Sequence, residues 1–138
     1  MKEFTFLILL VLFFTNCKNN NDPKPLPEVA GIAGKWRLTE QTYLSGDSTI
    51  TVDILSSAQK DIFIRYDGVM LIDGYAACCV PKKYLINGKL FNVVPKEEIL
   101  VYAICDCVGC DELVISQTGD TMITTFCNGG TSTYRRVK

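Results

Sequence analysis

The sequence predicts an all-β domain, an antiparallel meander of eight to ten short strands closed into a small up-and-down barrel. Three observations predict it. From Gly31 onward apolar residues alternate with polar ones or fall in short runs, and no window sustains a helical spacing. Turn sequences such as Asp67-Gly68, Asn87-Gly88, Gly119-Asp120 and Asn128-Gly129-Gly130 separate those runs. The chain has 138 residues, and its amino-terminal part has a different character, which leaves roughly 108 for one core. A meander of this length has two aggregation-prone edges unless it closes, and closure into a barrel removes them.

The amino-terminal segment comes first in the chain. Lys2 supplies a positive start, Phe4 to Phe14 is an apolar run broken only by Thr5, and Cys17 follows at once. The run is shorter than the ~20 residues a spanning helix needs, and Lys18-Asn19-Asn20-Asn21-Asp22 ends it. This arrangement resembles a bacterial lipoprotein signal, which implies cleavage before Cys17 and lipidation of that cysteine. Residues 1–16 are then the lipoprotein signal peptide, and the expected address is the cell envelope, as an outer membrane lipoprotein on the periplasmic or surface leaflet. Acyl chains contribute about 0.8 kcal/mol per buried CH₂, so palmitate-like chains on Cys17 would make anchoring effectively permanent. Residues 17–30, with Pro23, Pro25 and Pro27 among Asn, Lys and Glu, read as an extended tether of some 40 Å. Residues 31–138 are assigned to the barrel.

The strands follow in order. Trp36, Leu38, Thr42 and Leu44 share one face of a first strand over 35–44, and Ser45-Gly46-Asp47-Ser48 turns the chain into a second near 49–55. Residues 56–59 fit a helical turn. Ile62, Ile64 and Tyr66 alternate up to Asp67-Gly68, a two-residue hairpin signal, with a return strand over 69–75. Strands at 84–86 and 90–94 flank Asn87-Gly88, and 99–104, 112–116, 121–126 and 133–137 complete the series.

Gly34-Lys35-Trp36 at the opening of the first strand is similar to the Gly-x-Trp of lipocalins. Tyr134-Arg135-Arg136 in the last strand looks like the basic residue that packs across that tryptophan. With the Asp-Gly hairpin, residues 31–138 resemble the lipocalin-like lipoproteins of Bacteroidetes. The resemblance implies a lipocalin-like barrel whose end is packed by Trp36 with Arg135 or Arg136. Physically, a guanidinium stacked on the indole contributes roughly 0.5–2 kcal/mol. Adjacent strand residues point to opposite faces, so only one of the two arginines can occupy that place.

With Cys17 assigned to lipid, six cysteines remain at 78, 79, 105, 107, 110 and 127, an even number in an exported chain, which favours up to three disulfides. Cys78 and Cys79 are adjacent and poorly placed to bond to each other, so each needs its own distant partner. Counting hairpin reversals puts the 105–110 loop and the end of the 121–126 strand at one barrel end, which favours a bridge from that loop to Cys127. Connectivity otherwise stays open. A different reading takes Cys105-Asp106-Cys107-Val108-Gly109-Cys110 as thiolate ligands for copper(I) or zinc, and another takes Cys107-Val108-Gly109-Cys110 as a redox pair.

The sequence contains no histidine, which removes Ser-His-Asp and Cys-His catalysis, HExxH zinc hydrolysis and imidazole ligation together. Net charge is −1 with no basic run, so nucleic acid is not an expected partner. Glu40 falls in phase with Trp36 and Leu38, and Asp73 with Val69, Leu71 and Tyr75, so either could face inward as a polar ligand contact; strand twist or a bulge would place them elsewhere. No catalytic residues and no cofactor are expected. The expected function is that of a lipid-anchored envelope protein binding a small hydrophobic ligand. The alternative is an envelope protein–protein interaction or inhibitor module with a filled barrel, and a thiolate metal-binding protein is the third reading.

Overall fold

A computed structural model describes residues 22–55, 60–101 and 109–138. The expectations for the signal segment, Cys17, the 56–59 turn, Cys105 and Cys107 lie outside the described residues. The described chain is all-β. Ten strands form one strongly curled sheet, a half-barrel. They are β1 Gly34–Ser45, β2 Ser48–Asp53, β3 Asp61–Ile64, β4 Met70–Ile72, β5 Tyr75–Ala76, β6 Lys83–Ile86, β7 Lys89–Asn92, β8 Leu113–Thr118, β9 Thr121–Thr125 and β10 Thr131–Arg136.

Period-two alternation sorts the side chains. Trp36 and Leu38 of β1, Ile62 and Ile64 of β3, Met70 of β4, Tyr84 and Ile86 of β6, Leu113 and Ile115 of β8, Met122 of β9 and Tyr134 of β10 all turn to the concave side and are buried together. First and last strands pair, with Trp36 opposite Arg136 and Leu38 opposite Tyr134. The order runs β5-β4-β3-β1-β10-β9-β8-β6-β7, with β2 on β1 alone.

The sheet is mixed. β6 and β8 run parallel, Tyr84 opposite Leu113 and Ile86 opposite Ile115. A parallel pair needs a crossover, and the long connection over 93–112 supplies it. The strand expected over 99–104 is, where described, coil with a single parallel bridge from Val101 to Ala76. The return strand expected over 69–75 is cut short as well. Asp73 and Gly74 both have positive φ, 52° and 84°, so the chain reverses there and β5 folds back on β4. The sheet therefore ends on β5 at one side and β7 at the other, and a seam lies between them.

The segment read as tether is structural from Leu26 onward. Val29 and Ile32 are fully buried, Leu26 packs on the same core, and the Leu26 amide donates to Tyr66 O at 2.9 Å. The sequence signal was masked by three prolines: Leu26, Val29 and Ile32 lie three apart on turns closed by Val29 N to Leu26 O and Ile32 N to Val29 O.

Candidate functional site

The seam holds an apolar cleft of about 460 Å³. One wall comes from Val69, Met70, Ala76 and Ala77, the other from Val80, Tyr84 and the 93–101 segment with Val93, Val94, Ile99 and Val101. Among the described lining residues Lys82 is the one charged side chain. Ala76 N donates to Leu100 O at 2.8 Å, Ala77 N to Met70 O at 3.0 Å, and Val93 N to Lys82 O at 2.7 Å, so the walls are tied to both sheet ends. Burial pushes the Tyr84 phenol above its ordinary range, which keeps it neutral. A mostly aliphatic cleft of this size, with a single cationic side chain in its lining, suits a small apolar molecule.

The far wall is held by the turn between β3 and β4. Asp67 is fully buried and accepts from Arg65 Nε at 2.8 Å and Nη2 at 2.6 Å. Its carboxylate also accepts the Val69 amide at 3.3 Å and, from across the seam, the Lys96 amide at 2.8 Å. Arg65 Nη2 further donates to Glu97 O at 3.3 Å, and Tyr66 Oη donates to Glu97 Oε1 at 2.8 Å. Burial alone would push the Asp67 carboxyl up, but Arg65 and the Lys96 and Val69 amides outweigh it and hold it down at about 2. This cluster was not singled out from the sequence, because Asp67-Gly68 carries a turn signal that explains the aspartate by itself. Gly68 is required on its own account: φ is +87°, and a Cβ there would lie 2.6 Å from Phe91 Cε1.

The closed end of the half-barrel is built on Trp36. The indole is fully buried, and its Nε1 donates to Ile32 O at 2.6 Å. Arg136 lies over the ring with its guanidinium carbon 4.1 Å from the centroid, while Nη1 donates to Ala33 O at 2.8 Å and Nη2 to Gly31 O. Arg135 points the other way and is exposed, directly across from Arg37.

Glu40 and Asp73 do not line the interior. A bulge between Leu38 and Glu40 flips the phase of β1, so Glu40 pairs with Thr133 on the face opposite Tyr134, accepting from Thr133 Oγ1 at 3.3 Å. Asp73 is an exposed turn residue in the left-handed region. Neither contacts the cleft.

Cys110 and Cys127 form a disulfide, with Cα atoms 5.6 Å apart, tying the end of the 93–112 crossover to the end of β9. Cys78 and Cys79 each take part in a disulfide as well. The thiolate metal and redox readings both need a free Cys110, and its bond to Cys127 removes it from either set. Among the described residues no cluster of metal-ligating side chains is present.

Fold and site together define a small disulfide-linked all-β half-barrel with an apolar cleft at its open seam. Comparison with protein-family models, with characterised proteins and with solved structures gives no match to this chain.

Proposed function

We propose that the chain is a lipid-anchored, lipocalin-like protein of the cell envelope that holds a small hydrophobic ligand in the seam cleft. The observation that carries this reading is the cleft itself: about 460 Å³, walled by aliphatic side chains from both ends of the curled sheet. The envelope placement rests on Cys17 directly after the Phe4 to Phe14 run. Because the chain packs from Leu26 onward, a lipid on Cys17 would hold the domain within about 30 Å of the bilayer at full extension, closer than a tether to residue 30 would allow.

The test is titration of the full chain, produced in an oxidising compartment, with a naphthalene sulfonate dye that brightens in apolar sites, followed by displacement with a medium-chain fatty acid. Saturable binding that Ala77→Trp abolishes by filling the cleft is the expected result. Absence of saturable binding, or equal binding by Ala77→Trp, rejects the reading.

The interaction-module reading is favoured by a different observation, the exposed apolar side chains Tyr43, Ile50 and Val52 on the β1–β2 arm.

A further inference from the structure

β2 breaks the usual rules for a sheet edge. All six of its residues, Ser48 to Asp53, are exposed, and among the described residues no strand pairs with its outer side. Its sequence, Ser-Thr-Ile-Thr-Val-Asp, contains no proline, lysine or arginine, and its register with β1 runs without a bulge from Glu40–Asp53 to Ser45–Ser48. Such an edge presents unpaired backbone donors and acceptors as a template for another strand. Its two faces differ. On one, Tyr43 sits beside Ile50 and Gln41 beside Val52; on the other, Thr42 meets Thr51, their hydroxyl oxygens 3.1 Å apart, and Glu40 meets Asp53.

We infer that two copies of the chain join through β2, edge to edge and antiparallel, about a two-fold axis at Thr51. A two-fold axis perpendicular to the sheet keeps like faces on the same side, so it pairs residues of equal parity. Centred on Thr51, it overlaps the strand from 49 to 53 and sets Ile50 against the second copy's Val52, and Val52 against the second copy's Ile50. Tyr43, Ile50 and the second copy's Val52 then form one apolar row, and the symmetry repeats it. The strand's one charge, Asp53, faces the second copy's Thr49. Centred on Ile50 instead, the pairing would put Asp53 against Asp47, like charges directly opposite, and Val52 against Ser48. Centred on Val52, only residues 51 to 53 of the strand would overlap, against 49 to 53 about Thr51. Overlap, charge and apolar pattern together therefore favour the Thr51 register, with a second copy as the occupant. Main-chain hydrogen bonds carry the affinity in this mode, and the apolar rows carry the specificity.

The inference is independent of the seam cleft, and its test reads assembly rather than ligand. The full chain, purified in mild detergent, is followed by sedimentation equilibrium across a wide concentration range, alone and as the exposed variants Thr51→Lys and Thr51→Glu, with far-UV circular dichroism as the folding check. The expected result is a reversible shift from one to two chain masses for the parent. Each variant alone stays at one chain mass, because like charges meet at the axis, and an equimolar mixture of the two regains the doubled mass. A parent that stays single, a parent that grows beyond two copies, a variant that still dimerises alone, or a mixture that fails to associate overturns it.

Discussion

Replacing Asp67 with asparagine tests the link between the buried ion pair and the cleft. The side chain keeps its size and loses its charge, leaving the Arg65 guanidinium, whose side chain is only 12% exposed, without a counter-ion. Its carboxyl sits at about 2 in the folded chain against an ordinary 3.8, a difference that corresponds to about 2 kcal/mol of stability at neutral pH. The uncompensated guanidinium raises the total, since breaking a buried pair costs roughly 3–5 kcal/mol in all, and the partial exposure of Arg65 sets the expectation at the lower end of that range, about 3 kcal/mol. The folded carboxyl titrates below the unfolded one, so in the parent its contribution is complete above about pH 4 and is lost as the pH falls toward 2. Urea unfolding followed by the fluorescence of Trp36, the single and fully buried tryptophan, measures both effects. Asp67→Asn should lower stability at pH 7 by about 3 kcal/mol and flatten the decline between pH 4 and pH 2. The same variant leaves one acceptor oxygen for the donors that two now serve, Arg65 and the Val69 and Lys96 amides, which weakens the tie to Lys96, so dye affinity in the cleft should fall even where the domain remains folded. A loss below about 1 kcal/mol, or an unchanged acid limb, would refute the reasoning.

Two further outcomes follow from the closed end and the crossover. Arg136→Ala removes a stacked cation and two charge-assisted hydrogen bonds and should cost about 2–3 kcal/mol in the same urea assay, whereas Arg135→Ala should stay within about 0.5 kcal/mol; equal losses would contradict the stacking geometry. Joint replacement Cys110→Ser with Cys127→Ser opens a loop of sequence separation 17 and should cost about 3 kcal/mol, read as a lower denaturation midpoint with an unchanged far-UV spectrum.

The parts of the fold legible in the sequence are those governed by local rules. Alternation marked the buried face of β3 and, in β1, Trp36 and Leu38, while Thr42 and Leu44, expected on the same face, fall on the other side beyond the bulge; Asn87-Gly88 marked its hairpin because both residues need positive φ. Asp73-Gly74 has the same chemistry, yet the apolar phase of Val69 and Leu71 carried the reading through it as continuous strand. Glu40 was misplaced by a single inserted residue, since a bulge inverts every later side chain without leaving a mark in the alternation before it. Leu26 and Val29 were hidden by the prolines around them, which announce extended chain whether or not that chain packs. The parallel β6–β8 pairing and the reach of Asp67 to Lys96 are long-range facts, and no local pattern encodes them.

That last pair explains where the cleft lies. Ladder hydrogen bonds hold every strand from β5 round to β7, whereas among the described residues the polar ties between those two ends include the Ala76–Val101 bridge, Ala76 N to Leu100 O and the contacts that Arg65, Tyr66 and Asp67 make with residues 96 and 97. A further strand there would close the cylinder and fill the space with backbone. The coil at 99–101 instead spans the gap with few bonds, and a buried carboxylate, which needs donors and finds one in the Lys96 amide, fixes its height above the core. The opening is therefore set by side-chain chemistry at one turn rather than by the sheet, and the wall of the cleft can loosen without unpairing a strand.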